Sequence, residues 1–211
     1  MAKEIYFVRH GLTESNIANR VQGYDDPLSE EGKRQGAFLA ERLSRVSFQK
    51  FLCSDMLRTR ETATLVAKRT GHEVEFSPLF REIERPSSFV GRPNTDPDFL
   101  NFLREKEEKA ATDPHWTYED EESVAEVIER THQAFDYAAE QPADAVLVMS
   151  HGNFLRKMAM ALMLGEDANK HWTEQHSFLS ASNTGITLYR RSDSVRYPWQ
   201  LITWNDHAHL G

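Results

Sequence analysis

The sequence predicts an α/β protein, a three-layer sandwich in which a mainly parallel central sheet carries helices on both faces. Three observations lead there. Short apolar, β-branched runs alternate with amphipathic helical patterns, the order that feeds a parallel sheet. Three segments place polar residues just after such a run: Arg9-His10-Gly11, Ser54 to Arg58, and His151-Gly152. The chain has 211 residues, 39% hydrophobic and 27% charged, enough for one domain with a well-buried core.

Glu4-Ile5-Tyr6-Phe7-Val8 is read as a buried strand. Ser29-Glu30-Glu31-Gly32 opens a helical pattern that runs through Ala37, Leu39, Ala40 and Leu43. Lys50-Phe51-Leu52-Cys53 is a second strand. Ser54-Asp55 then reads as the N-cap of a helix carrying Leu57, Thr62, Ala63, Val66 and Ala67 up to Gly71. His72 to Phe76 predicts another short strand. From Arg85 to Tyr118 the pattern loosens around Pro86, Pro93, Pro97 and Pro114, with one helix-like stretch from Phe99 to Ala111. Segment 85–118 is therefore expected to be a lid-like insertion over the sheet edge, inside a single domain spanning 1–211. Ser123 to Glu140 is amphipathic, with Val124, Val127, Ile128, Ala134, Phe135 and Ala138 on its apolar face. Ala145-Val146-Leu147-Val148-Met149 is the most strand-like run, and an apolar helix, Phe154 to Leu164, follows it. Strands at Gly185 to Arg190 and Trp199 to Trp204 close the pattern.

The net charge of −8 and the pI near 5.6 disfavour a general nucleic-acid or anionic-membrane binder. No apolar run approaches the length of a membrane span, and Met1-Ala2-Lys3-Glu4 leads directly into a strand with no signal-peptide pattern. The lone Cys53 rules out an intrachain disulfide and fits a reducing compartment, so a cytoplasmic protein is expected. Aromatic residues such as Trp172 and Trp199 leave a homodimer open.

An acidic protein still accommodates a small anion where arginines converge. Ligands of open parallel sheets bind beyond the carboxyl ends of the strands, so the three polar segments are expected to meet in one pocket. It would hold two guanidiniums, two imidazoles and the start of the helix after His151, whose free N–H groups and dipole favour an anion. Arginine forks match phosphate oxygens, so the pocket suits a phosphoryl group. Singly, each residue has a plainer reading: a packed histidine, a solvated Arg58, a capping Ser54. Together they are hard to explain as coincidence.

Arg9-His10-Gly11-Leu12-Thr13-Glu14-Ser15-Asn16 resembles the RHGxTxxN signature of the histidine phosphatase superfamily, the phosphoglycerate-mutase-like family. Further similarities follow in the family's order. They are Gln22-Gly23 with Asp26-Pro27-Leu28-Ser29, the run Ser54 to Ala63, Arg81-Glu82-Ile83, Val148-Met149-Ser150-His151-Gly152, and Asn183-Thr184-Gly185-Ile186. The resemblance implies a phosphomonoester hydrolase of the phosphatase branch acting on a small phosphorylated substrate, with no metal and no cofactor. It implies His10 as the nucleophile that becomes phosphohistidine, Arg9 and Arg58 as clamps on the phosphoryl oxygens, and His151 as an electrostatic partner. It assigns the leaving group's proton to Glu82, with Glu84 as the rival carboxyl and an ion pair to Arg81 or Arg85 as the plainer reading. Asn16, Gln22, Gly23, Gly152 and Asn153 are further substrate-binding candidates. After the acidic motif the chain departs from many relatives and reads Glu84-Arg85-Pro86-Ser87-Ser88-Phe89-Val90-Gly91-Arg92. Substrate choice is expected to lie there, with Arg85 and Arg92 either meeting a second anionic group or simply solvated.

Four alternatives compete. A mutase would return the phosphoryl group to another hydroxyl, but the more elaborate substrate-binding insertion of mutases is not found. A cysteine phosphatase loop needs five residues between cysteine and arginine, and only four separate Cys53 from Arg58. A metal site at His207 and His209, or at His171 and His176 around Trp172, lacks carboxylate or cysteine partners. A non-catalytic phosphoryl-ligand binder is opposed by the intact Arg9, His10, Arg58, Glu82 and His151. The acidic run Glu119 to Glu122 is read as favouring a helix dipole.

Overall fold

The protein is seen in a computed structural model, and the structure describes residues 3–169, 179–192 and 198–211. Its strands are β1 (Glu4–Arg9), β2 (Lys50–Cys53), β3 (Glu75–Phe76), β4 (Ala145–Ser150), β5 (Ile186–Arg191) and β6 (Trp199–Asp206). They form one sheet in the order β3-β2-β4-β1-β5-β6. The four strands from β3 to β1 run parallel, β5 is antiparallel to β1, and β6 is antiparallel to β5. Helices α1 (Glu14–Ile17), α2 (Glu30–Leu43), α3 (Leu57–Thr70), α4 (Pro97–Ala110), α5 (Val124–Glu140) and α6 (Gly152–Leu164) complete it. No helix among the described residues is long and apolar enough to cross a membrane.

The period-2 alternation of the strands sends side chains to two opposite cores. Ile5, Phe7, Leu52, Val146 and Val148 meet Ala134, Phe135 and Ala138 of α5 and Phe154, Leu155 and Met158 of α6. Val8, Phe51, Cys53, Leu147 and Met149 meet Leu39 and Leu43 of α2 and Ala63 and Val66 of α3. Each such large side chain withdrawn from water contributes roughly 1.5–3 kcal/mol. The three-layer expectation therefore holds, and β4, buried along its whole length, is its centre.

Local chemistry moves several boundaries. The strand expected from His72 shrinks to Glu75–Phe76, because the His72 ring stacks on Phe48 at 4.1 Å and donates to the Phe48 carbonyl at 2.7 Å. Helix α4 starts at Pro97, with Asp96 as its cap, because proline suits a first helical position. Ser54-Asp55 does not cap α3: Met56 holds that place, and the Ser54 hydroxyl pairs with His151 instead. Helix α1 was not anticipated; Thr13 and Asn16, two signature residues, form its reciprocal capping box.

Trp199 is not a free aromatic: it is half-buried, with its ring 5.2 Å from Phe135. Trp172, His171 and His176 lie outside the described residues. His207 and His209 both follow β6 and hold separate partners. His207 donates to the Asn205 carbonyl, and His209 sits in a closing turn, accepting from Arg42 and donating to the Thr184 hydroxyl.

Candidate active site

The strand order places β1, β4 and β2 side by side, so the polar segments after them are neighbours. Arg9 pairs with Ser150 and Cys53 with Met149 across the ladders. The His10 N–H donates to the Ser150 carbonyl and the Ser54 N–H to the Met149 carbonyl, extending the ladders by one step. His10, Ser54, Arg58 and His151 all have zero exposure. Gly11 is needed where the chain leaves β1, since a Cβ there would lie 2.6 Å from the Gly32 carbonyl oxygen at the start of α2.

The His10 ring is held in one tautomer. Nδ1–H donates to the Gly11 carbonyl at 2.7 Å, which leaves Nε2 with its lone pair. That lone pair accepts from Arg58 Nε at 3.2 Å. Burial, and then the Arg58 and Arg9 guanidiniums, hold the His10 pKa well below the usual imidazole value, so the ring is neutral. The His151 ring lies 5.1 Å away, with Nε2 on the Ser54 hydroxyl at 2.8 Å and a buried Nδ1 that has no partner. Its pKa is lowered in the same way, by burial first and then by Arg58.

The two guanidiniums lack ion-pair partners among the described residues. Arg58 donates to the Gly23 carbonyl at 2.7 Å, which gives Gly23 a positioning place rather than one on the cavity wall. Arg9 donates to the Ala181 carbonyl at 2.5 Å and keeps a buried, unpartnered Nε. Burial lowers Arg9 to about 10, so it stays charged at neutral pH. A Cβ at position 152 would approach Arg9 Nε to 3.0 Å, so Gly152 makes room for that guanidinium.

The start of α6 is not an open anion site. Glu82 occupies it, accepting from Asn153 N at 3.1 Å, Phe154 N at 2.8 Å and its neighbour Ile83 N at 3.0 Å. Glu82 thus fills the helix-start position expected for the phosphoryl group, while still lining the cavity. Neither plainer reading of Glu82 survives: Arg81 pairs with Asp55 instead, and Arg85 makes no ion pair to Glu82. Glu84 is exposed and faces away from the cavity.

Beside this cluster opens a cavity of about 600 Å³, which Arg9 and Glu82 line and His10, Arg58 and His151 do not. Its charged lining is Arg9, Arg20, Arg85, Lys106 and Arg156 against Glu82 and Glu107, a positive concavity on an acidic protein. Asn16, Gln22 and Asn153 also line it; α4 of the 85–118 segment supplies Phe99 and Leu103. Asn16 uses its side-chain oxygen to accept from Thr13 and Asn183, and Gln22 donates to the Thr13 hydroxyl at 2.5 Å. Cys53 is sealed in the core with its thiol pKa pushed up by burial, which removes it as a nucleophile.

Three contributors are not among the candidate site residues, although Asn183 stands in a matched motif. Asn183 Nδ2 donates to the His10 carbonyl at 3.0 Å. Arg130 of α5 donates to the carbonyls of Leu79 and Arg81 at 3.2 and 2.9 Å and stacks over Phe154, fixing the segment that presents Glu82. Arg156 shares a helix face with Gly152, four residues earlier, a spacing that could have flagged it. Nothing in the sequence pattern marks Arg130: Glu122 pairs with it at 2.6 Å, but the carbonyls it fixes are those of Leu79 and Arg81, far away in the sequence.

A double-histidine, double-arginine centre at the carboxyl ends of a parallel sheet defines the class: an α/β phosphoryl-transfer fold. The chain belongs to the histidine phosphatase superfamily (branch 1), whose family model matches residues 5–207. It is 31% identical over 211 residues to the probable phosphoglycerate mutase GpmB of Photorhabdus laumondii, covering 98% of this chain and 94% of that protein. The Cronobacter sakazakii protein of the same name is 30% identical over 214 residues, with the same coverage. Among solved structures, a mycobacterial glucosyl-3-phosphoglycerate phosphatase in complex with VO3 superposes with a TM-score of 0.75 at 25% identity, covering 97% of this chain and 99% of that one. A putative alpha-ribazole-5'-P phosphatase from Escherichia coli gives 0.78 at 22% identity, covering 98% of each chain. The second likeness is one of fold.

Proposed function

We propose that this protein is a phosphomonoesterase that works through a phosphohistidine on His10 Nε2. The observation that carries the reading is the His10 ring itself: fully buried, neutral, and locked by Gly11 so that Nε2 keeps its lone pair, which accepts from Arg58 Nε. A neutral imidazole with a fixed lone pair is a nucleophile, and guanidiniums without carboxylate partners stabilise a phosphoryl dianion.

In the first step Nε2 attacks phosphorus, the Nε2–P bond forms and the ester P–O bond breaks. Arg58 and Arg9 donate to the phosphoryl oxygens, and His151 Nδ1, which no protein group engages, joins them. The Gly11 carbonyl keeps its hydrogen bond to Nδ1–H as the ring takes on positive charge. The leaving oxygen takes its proton from the Glu82 carboxyl, which lines the cavity. In the second step Glu82 takes a proton from water, the water oxygen bonds to phosphorus and the Nε2–P bond breaks. Asn16, Gln22 and Asn153 line the path of the leaving group. The 85–118 segment is read as a lid-like wall within the same domain, and the cytoplasm as the compartment, a placement the lone Cys53 supports.

The test is release of inorganic phosphate from p-nitrophenyl phosphate and a panel of phosphomonoesters, in EDTA. Turnover by the wild type is expected, with a loss of about 10⁴-fold or more in His10→Ala. Turnover that survives in His10→Ala would overturn the nucleophile assignment. A second reading, a mutase, is favoured by the names of the curated relatives; it predicts isomerised phosphoglycerate in place of free phosphate.

A further inference from the structure

The acidic run Glu119 to Glu122 precedes α5, whose first turn carries Glu126 as its acid, and the run's carboxylates are committed elsewhere. Each takes a different partner. Glu119 accepts from the Ser88 hydroxyl at 2.8 Å, and Asp120 from Ser87 N at 2.9 Å. Glu121, buried, pairs with Lys106 of α4 at 2.6 Å. Glu122 accepts from Glu84 N at 2.9 Å and from Arg130 Nε and Nη2 at 2.6 and 2.7 Å. The run thus ties α4 and the loop after Glu82 to the start of α5.

Within it the Glu122–Arg130 pair stands apart, because it grips the segment bearing Glu82 from both ends. Arg130 Nη1 donates to the carbonyls of Leu79 and Arg81 at 3.2 and 2.9 Å, and Nη2 reaches that of Glu82 at 3.4 Å. Glu122 holds the N–H of Glu84, two residues beyond. The Arg130 guanidinium also stacks 4.6 Å from the centre of the Phe154 ring. Phe154 N in turn makes the shortest of the three N–H bonds to the Glu82 carboxylate. One guanidinium therefore sets both the backbone that carries Glu82 and the helix start that receives its carboxyl. Arg130 and Glu122 are only 15% and 16% exposed, so the pair is shielded from the solvent that weakens surface ion pairs. Neither residue lines the cavity, so neither acts on the substrate directly.

We propose that Arg130 and Glu122 are positioning residues for proton delivery by Glu82, and thereby set which leaving groups the enzyme expels. This rests on the phosphatase reading, with Glu82 as the proton donor. As the His10 Nε2–P bond forms, the ester P–O bond breaks and its electron pair goes to the leaving oxygen. A nitrophenolate carries that charge unaided; an alkoxide must take the Glu82 proton as it departs. A carboxyl displaced by about 1 Å loses that transfer while His10, Arg9 and Arg58 keep their places.

The experiment measures kcat/KM, which reports the steps through ester cleavage, for p-nitrophenyl phosphate and for the fastest alkyl phosphate among glycerol and sugar phosphates. In Glu82→Gln the loss on the alkyl ester is expected to exceed that on the aryl ester by about 10²-fold or more. Arg130→Gln should show the same selectivity at about 10–10²-fold, and Glu122→Gln at about threefold to tenfold. Arg130→Gln added to Glu82→Gln should bring no further selectivity, since both act through one proton. Each selectivity is a ratio on one protein, so a loss of folded enzyme cancels. Equal losses on both esters in Arg130→Gln would overturn the proposal; that is the mark of an effect through His151, whose imidazole also feels the Arg130 charge. A wild type that cleaves no alkyl ester overturns it as well. Selectivity in Glu82→Gln but not in Arg130→Gln removes the positioning role and keeps the proton donor. No selectivity in Glu82→Gln removes both.

Discussion

The floor beside this cavity and the cavity's wall are built by different means. The floor is the sealed cluster of His10, Arg58 and His151, which has zero exposure and stands outside the cavity lining, hung just after the ends of three adjacent strands and held by bonds to backbone or to neighbouring side chains. The wall comes largely from the 85–118 segment and α6, and it is partly exposed. It rests on a separate aromatic cluster of Phe89, Phe99 and Phe102, with Tyr118 against it. The floor draws its rigidity from the sheet; the wall draws its own from a small local cluster that a change of sequence can remodel without disturbing the sheet. Chemistry that must not vary belongs on the first and substrate choice on the second.

This contrast can be broken in order of expected size. Arg58→Lys keeps the charge but loses the fork that reaches both His10 and the Gly23 carbonyl, so kcat for p-nitrophenyl phosphate should fall about 10²–10³-fold. A loss below about fivefold would mean that charge alone suffices on the floor. Phe102→Ala removes the most buried ring of the wall cluster, and a cost of about 3 kcal/mol in urea unfolding is expected. Its kinetic mark should be a KM raised several-fold with kcat within about twofold. A fall in kcat at constant KM would show that the wall takes part in the chemistry.

The last test is thermal stability against pH. His10 and His151 are kept neutral in the fold, below the ordinary imidazole value, by burial and then by Arg58. Below about pH 6.5 the unfolded chain therefore binds protons that the folded one does not. Stability should be complete above that pH and decline on acidification, by up to about 1.4 kcal/mol per pH unit for each imidazole. His209, lowered to about 4 by burial and Arg42, adds to the same limb. Tm measured from about pH 7.5 down to about 5 should fall less steeply in His10→Asn/His151→Asn than in the wild type. Equal slopes would mean that the floor imidazoles titrate as exposed groups.

Much of the floor was legible beforehand because strand periodicity and ordered local motifs are short-range signals. His10, Arg58 and His151 each follow or stand close to a predicted strand end, and parallel strands bring such ends together. The role of the α6 start was misjudged for a physical reason. Free helix N–H groups mark an anion site whoever the anion is, and the chain's own Glu82, about 70 residues earlier, takes it. The same blindness applied to Ser54, a serine after a strand whose hydroxyl caps no helix and instead meets His151 across the sheet.

By itself the sequence determined the α/β class, the two-faced core and the polar segments that meet at the carboxyl ends of β1, β2 and β4, because apolar period and residue chemistry are local properties. Arg85 and Arg92 show what it could not decide. They are two arginines of one loop with equal claims on paper. Only the tertiary structure gives Arg92 its aspartates and leaves Arg85 facing the cavity, since a charge is committed or free according to what the fold brings within reach of it.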